Sequence, residues 1–215
     1  MTGETRATCR QCGEENKINV YGGINVGEQP ELKAAVLDGS AFVWTCPHCG
    51  TQNLLQYQTL YHDPAGKLMV WLTRGSGELE KQVSSAYSKL EGLDDYTLRF
   101  VDDAGSLIEK IKIFDAGLDD RTMEMTKYVT KMELCEQRKE RSEDILAAGF
   151  KFLAMSGADN EITLAYPLDG QMQMTVIGFN VYEDCRGIIK RNPELAREDS
   201  GFMKIDSSWV ARYFR

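Results

Sequence analysis

Two Cys-x-x-Cys steps constrain this chain more than anything else in it: Cys9-Arg10-Gln11-Cys12 and Cys46-Pro47-His48-Cys49, each followed directly by a glycine, Gly13 and Gly50. One such loop delivers two sulfurs from a single tight turn, and two loops together supply the four ligands that a tetrahedral zinc ion takes. A glycine just past the second cysteine permits a positive φ. It also lets backbone N–H groups approach the thiolates and spread charge that is costly to bury. The sequence therefore predicts one structural Zn2+ per chain, held by Cys9, Cys12, Cys46 and Cys49.

The competing chemistry is thiol–disulfide exchange, because the Pro47-His48 dipeptide also occurs between the cysteines of strongly oxidising enzymes. Those enzymes place the first cysteine at a helix N-terminus, which lowers its pKa. Here Gly50-Thr51-Gln52-Asn53 is turn-like, no helix is expected after it, and the redox reading leaves Cys9 and Cys12 without a role. His48 reads as a solvent-facing spacer, and Cys135 and Cys185, with no ligand-spaced neighbours, as lone thiols.

With 42% hydrophobic and 27% charged residues over 215 positions, the chain can bury a core without disulfides, as one large domain or two small ones. No apolar run approaches the roughly 18 residues that span a bilayer, and the N-terminus lacks the parts of a signal peptide. A reducing cytoplasm and no membrane partner are the expectations, and paired cysteines there read as metal ligands. The net charge of -8, made more negative by four thiolates on one divalent ion, speaks against nucleic acid as a general partner. Arg138-Lys139-Glu140-Arg141, flanked by Glu133, Glu136, Glu143 and Asp144, reads as a solvated helix face.

Between the cysteine loops, Ile18, Val20, Ile24 and Val26 predict a hairpin around Gly22-Gly23. A short helix is predicted over 31–37 that stops near Gly39, then a strand over 42–45. Strands over 54–61 and 67–72 follow, joined by the turn-forming Tyr61-His62-Asp63-Pro64-Ala65-Gly66. Beyond a hinge at Gly75-Ser76-Gly77, Leu79, Val83, Tyr87 and Leu90 repeat at helical spacing over 78–90, and Tyr96, Leu98 and Phe100 alternate as a strand. Asp102-Asp103-Ala104-Gly105 reads as an acidic turn. Ser106 with Glu109 forms a capping-box pattern for a helix over 107–114 that stops at Gly117. Asp119 and Asp120 open another helix, with Met125, Val129 and Met132 on the face of Tyr128.

Toward the C-terminus, Phe150-Phe152-Ala154, Ile162-Leu164-Tyr166 and Met172-Met174-Val176 alternate, with turns that favour an antiparallel meander. Asp206 caps a last helix bearing Trp209, Val210, Tyr213 and Phe214. Neither internal repeats nor low-complexity tracts are read from the sequence. The fold class expected is α+β, with an N-terminal four-cysteine zinc ribbon carrying an inserted hairpin and short helix, a mixed central region, and a C-terminal antiparallel sheet with a terminal helix. Residues 1–74 form the ribbon-like β region, 75–149 a mostly helical region completing that domain, and 150–215 the C-terminal part.

Several of these motifs together resemble the prokaryotic CpXC domain family. They are the two cysteine loops, Ile24-Asn25-Val26 through Glu31-Leu32-Lys33, and Leu60-Tyr61-His62-Asp63. Further on come Leu107-Ile108-Glu109-Lys110-Ile111 and Ala116-Gly117-Leu118-Asp119-Asp120-Arg121. The resemblance covers about the first 130 residues and implies a cysteine-bound metal without implying an activity. Arg10 stands in the first loop where Pro47 stands in the second.

Three function classes compete. A non-catalytic module, its loops fixed by zinc for an unknown protein partner, needs no residue beyond those present. An enzyme would have to use the His62/Asp63 turn or the Asp119/Asp120 helix start. The chain has two histidines in all, no Gly-rich phosphate loop, no Gly-x-Ser-x-Gly and no His-Glu-x-x-His. Acidic residues at a helix start are explained by capping, and a turn explains His62 and Asp63. A nucleic-acid-associated zinc ribbon rests on fold analogy alone. No catalytic residue is assigned, and the balance falls on the first class. The oligomeric state is not read from the sequence.

Overall fold

Each Cys-x-x-Cys step forms the tip of an antiparallel hairpin. In this computed structural model, which describes residues 2–87, 92–196 and 201–213, β1 (Thr2–Thr8) pairs with β2 (Glu15–Tyr21) around the first step. The predicted hairpin around Gly22-Gly23 is therefore replaced. Thr2–Thr8 carries no apolar alternation of its own, and it is the Ile18 and Val20 face of β2, opposite Thr5 and Gly3, that gives β1 its partner. Beyond Gly22 the chain leaves this pair, and β3 (Gly23–Asn25) runs parallel to a strand of a different sheet.

The helix α1 (Glu31–Leu37) forms as predicted and buries Leu32 and Val36. Gly39, at φ 82°, ends the segment, because a left-handed residue closes a helix with least strain when it lacks a Cβ. A 3-10 turn at Ser40–Phe42 leads into β4 (Val43–Thr45), which pairs antiparallel with β5 (Gln52–Leu54) around the second cysteine step. The single strand predicted over 54–61 is two strands, since β5 ends at Leu54 and β6 spans Thr59–Asp63. Between them Leu55 N–H still donates to Phe42 and the Tyr57 hydroxyl to Ala41, which turns the chain away from the hairpin.

β6 and β7 (Leu68–Leu72) form an antiparallel pair, and β8 (Thr97–Val101) adds parallel to β7, giving the order β3-β6-β7-β8. His62 and Asp63 belong to β6 itself, so the turn starts only at Pro64. α2 (Gly77–Tyr87) buries Val83, while Leu90 lies outside the described residues. Met203 extends this sheet beside β8: Phe100 N–H donates to its carbonyl and its N–H to that of Leu98. Phe202 stacks on Phe100 and meets Trp71 and Tyr87 edge-on, with ring centroids 4.9 to 6.4 Å apart.

The chain divides into two compact units, Met1–Ile108 with Ser200–Met203, and Glu109–Asp199 with Lys204–Arg215. The division falls inside α3 (Ala104–Asp115). That helix begins earlier than the capping-box pattern suggested. Asp103 caps it, accepting from Ser106 N–H at 2.8 Å and from the Ser106 hydroxyl at 2.7 Å. An aspartate directly before the helix takes the capping position in place of Ser106, and Glu109 has an interior role.

In the second unit, α4 (Asp120–Gln137) starts after Gly117, whose φ is 70°. Instead of a single methionine stripe, every residue from 120 to 127 is buried, whereas Tyr128, Val129 and Met132 are half-buried. Arg138-Lys139-Glu140-Arg141 caps this helix and makes an exposed 3-10 turn in place of a helix face. After α5 (Ser142–Ala147), the strands β9 (Lys151–Ser156), β10 (Glu161–Leu168) and β11 (Gln171–Ile177) form the predicted antiparallel meander, in the order β11-β10-β9. Phe152, Ile162, Leu164 and Tyr166 turn into a core shared with Met123, Leu134, Ile145 and Tyr182. Met172, Met174 and Val176 turn the other way and are exposed.

α6 (Phe179–Arg191) and α7 (Pro193–Ala196) were not read from the sequence. Asp206 caps α8 (Ser207–Ala211) as predicted, accepting from Trp209 N–H, and Trp209 and Val210 are buried. Phe214 lies outside the described residues. The mixed α+β class follows the sequence expectation, with eight α-helices and four sheets among the described residues.

Candidate metal centre

The two hairpin tips bring four sulfurs together although 33 residues separate the loops. Cys9, Cys12, Cys46 and Cys49 each offer a sulfur within 4.8 Å of all the others. Cys9 and Cys49 stand 3.6 Å apart, and Cys12 and Cys46 3.7 Å. Both distances far exceed a disulfide bond of about 2.05 Å. They match the edge of a tetrahedron around a metal bound at about 2.3 Å per sulfur, which is roughly 3.8 Å. The donor set thus fits a thiophilic divalent ion. Cys9 and Cys46 are buried, Cys12 and Cys49 exposed.

The local reason is the same in both tips. Cys9 N–H donates to Glu14 at 2.9 Å and Gly13 N–H to Cys9 at 3.0 Å; Cys46 N–H donates to Thr51 and Gly50 N–H to Cys46, both at 2.9 Å. Gly13 and Gly50 hold φ of 76° and 72°, as the sequence required. His48 is exposed and makes no part of the tetrad.

A repeat that sequence reading passed over extends this symmetry. Cys-x-x-Cys-Gly-x-x-Asn occurs twice, ending at Asn16 and Asn53. Each asparagine reaches across to the other hairpin: Asn53 Nδ2 lies 3.6 Å from Cys9 Sγ, and Asn16 Nδ2 lies 3.9 Å from Cys46 Sγ. Each also donates to the carbonyl two residues earlier, at 2.9 Å and 3.2 Å. The halves differ where their sequences differ. Arg10 N–H donates to Asn53 Oδ1 at 3.0 Å, and Pro47, which has no N–H, offers Asn16 no equivalent.

Electrostatics separates the thiols. Backbone N–H from Cys12 lowers the Cys9 pKa to about 6, against the effect of burial and with further help from Gln11, Asn53 and Cys49. Thr51 lowers that of Cys49 through its hydroxyl and its N–H. Cys12 also receives a backbone N–H, from Glu14. Burial and the neighbouring sulfurs of Cys49, Cys46 and Cys9 outweigh it and push Cys12 up to about 12. The tetrad therefore holds its protons unevenly.

The other sequence candidates are not brought to the tetrad and are used elsewhere. His62 Nε2 lies 3.2 Å from the Tyr96 hydroxyl, and its pKa is lowered by burial. Asp63 is buried. It accepts from Gly66 N–H at 2.9 Å and pairs with Lys33 at 3.2 Å, and these partners hold its carboxyl below the ordinary range despite burial. Asp119 accepts from Thr122 N–H and hydroxyl at 2.8 Å and 2.9 Å, which makes it the predicted helix cap. Asp120 is no cap. Fully buried, it sits 2.8 Å from Lys110 Nζ.

That contact belongs to an ion network within the second unit. Lys110 also lies 3.6 Å from Glu124, and Lys127 bridges Glu124 and Glu109 at 2.8 Å each. Glu109 accepts from Phe152 N–H at 2.8 Å and pairs with Lys151 at 3.0 Å. Among the described contacts, the carboxylates of Glu109, Asp120 and Glu124 face the ammonium groups of Lys110, Lys127 and Lys151, so buried charge lies beside its opposite. Cys135 donates weakly to Ser142, and Cys185 is buried with its thiol pushed up by desolvation; both are lone thiols.

A family model described as CpXC protein matches residues 7–127, more than half of the chain and inclusive of all four tetrad cysteines. Searches of curated proteins and of solved structures returned no match.

Proposed function

The chain belongs to the CpXC family, and from that premise we propose that it is a non-catalytic protein-interaction module of the cytoplasm whose two hairpins are locked, as in a zinc ribbon, by one structural zinc ion. The observation that carries this reading is the convergence of four sulfurs within 4.8 Å of one another, two of the spacings matching a tetrahedral edge, with no fifth His, Cys or carboxylate donor among the described residues. Four protein ligands close the coordination sphere of a structural zinc, whereas a catalytic zinc keeps one position for water or substrate. Cys9, Cys12, Cys46 and Cys49 would hold the ion, with Asn16 and Asn53 behind them. Such an ion supplies cross-linking between sequence-distant turns.

The engagement of the remaining candidates supports the non-catalytic side. Asp119 caps a helix, Asp120 lies under Lys110, and Asp63 is bound into its own turn. A net charge of -8 favours a protein partner over nucleic acid.

Metal analysis of freshly purified protein is expected to find near-stoichiometric zinc and no iron, the other ion that suits four thiolates. A pull-down from native extract is expected to retain a specific protein on the native chain and none on the Cys46→Ser, Cys49→Ser variant. Absence of zinc, or an empty eluate across salt conditions, overturns the reading.

A further inference from the structure

Hydrogen-bond pairing in the two hairpins fixes which backbone groups face outward. Cys9 pairs with Glu14, so the bonded positions of β1 continue through Ala7, Thr5 and Gly3. The N–H and C=O groups of Glu4, Arg6 and Thr8 then point away from β2. Cys46 pairs with Thr51, and Leu55 N–H donates to Phe42, which turns Gln52 and Leu54 away from β4 by the same alternation. Among the described residues both sheets have only two strands, so each of these edges is open.

β1 and the chain at 53–57 line one cleft of about 620 Å3. Trp44 and Ile18, both buried, lie at its base. Leu54 contributes an apolar side chain that is 62% exposed. Among the described residues, the charged side chains in its lining are Arg6 and Arg10, in a protein of net charge -8. Arg6 reaches Glu15 at 3.0 Å, but both side chains are more than half exposed, and an exposed pair of this kind yields readily to a competing carboxylate.

We propose that this cleft takes an extended, acidic peptide segment of a partner protein, added as a strand along the open edge of β1. Backbone bonds to Glu4, Arg6 and Thr8 provide affinity. Alternate side chains divide between the apolar wall at Leu54 and the guanidinium groups of Arg6 and Arg10. Single-stranded nucleic acid suits the cleft less well. Trp44 is only 9% exposed and the Tyr57 hydroxyl is tied to Ala41, so neither ring is free to stack on bases. This assignment rests on the interaction reading above and names the chemistry of its partner.

The test titrates the zinc-loaded full chain with labelled heptapeptides. One alternates valine and glutamate, a second alternates valine and lysine, a third is the acidic peptide N-methylated at every second residue, and a fourth probe is oligothymidine. The acidic peptide is expected to bind at least tenfold more tightly than the lysine peptide. The Arg6→Glu, Arg10→Glu variant should invert that preference, and N-methylation on the paired edge should abolish binding. Amide NMR shifts should cluster on Glu4, Arg6 and Thr8. Charge-independent binding, unchanged binding of the methylated peptide, tighter binding of oligothymidine, or no binding by protein with a full zinc complement overturns the cleft assignment alone. Missing zinc overturns the assignment together with the reading it rests on.

Discussion

The thiols of the tetrad differ in what they ask of a metal. Cys9, at about 6, is largely ionised near neutrality, whereas Cys12, at about 12, gives up its proton only to a cation. Metal affinity is expected to rise with pH, because binding displaces the Cys12 proton and, below about pH 6, the Cys9 proton as well. Competition with a chromophoric chelator across that range checks the slope, and a flat profile above neutrality would remove the proton assigned to Cys12. The asparagines give a second residue-scale expectation. Asn53 is buried and holds Cys9 Sγ, Arg10 N–H and the Thr51 carbonyl, so Asn53→Ala should weaken zinc binding by about 10- to 100-fold. Asn16, half-buried with its sulfur at 3.9 Å, should matter much less. The convergence of the four cysteines was legible in the sequence because soft donors at fixed spacing have few other uses. The asparagines were written there too, as the eighth residue of a repeated octet, but an asparagine three positions past a glycine reads as turn chemistry until the hairpins are seen to face each other.

At the scale of elements, what the sequence made legible was whatever carries its own period. The three strands of the meander form where their alternation placed them, except that a bulge at Thr163/Leu164 leaves Ala154 exposed and packs Met155 on the core, and Asp119 and Asp206 cap the helices they precede. β1 was invisible because its pairing comes from β2. α4 was misread because its orientation is set by charge as well as by apolar side chains. Asp120, Glu124 and Lys127 meet Glu109 and Lys110 of α3 in a buried network that no hydrophobic period reports. Removing one member leaves an uncompensated interior charge, so Lys127→Ala is expected to destabilise the fold by about 3–5 kcal/mol, measured by denaturant unfolding. The network also sets a pH dependence. Burial alone would raise Glu109, but Lys127 and Lys151 hold it below the ordinary carboxylate range. Its contribution is therefore complete above the unfolded glutamate pKa of about 4.3 and lost as pH falls through the lower folded value.

For the molecule as a whole, the cysteine tetrad and the meander belong to different compact units. Structural zinc in small modules contributes on the order of 10 kcal/mol of apparent folding free energy. Chelation is expected to raise hydrogen exchange across β1, β2, β4 and β5 and leave β9–β11 protected, because among the described residues the core under the meander includes none of the tetrad cysteines. Uniform exchange in both units would show that the ion stabilises the chain globally; no change in either would show that the tetrad is dispensable.

The crossing of the asparagines fixes how such a centre can come into being. Neither hairpin owns a finished half-shell, since the buried sulfur of each receives its amide donor from the other. A nascent chain that has made only Cys9 and Cys12 offers an ion two sulfurs and no second layer. Capture of the proposed ion by four sulfurs then waits for Cys49, and the second layer that tightens it closes only when Asn53 follows.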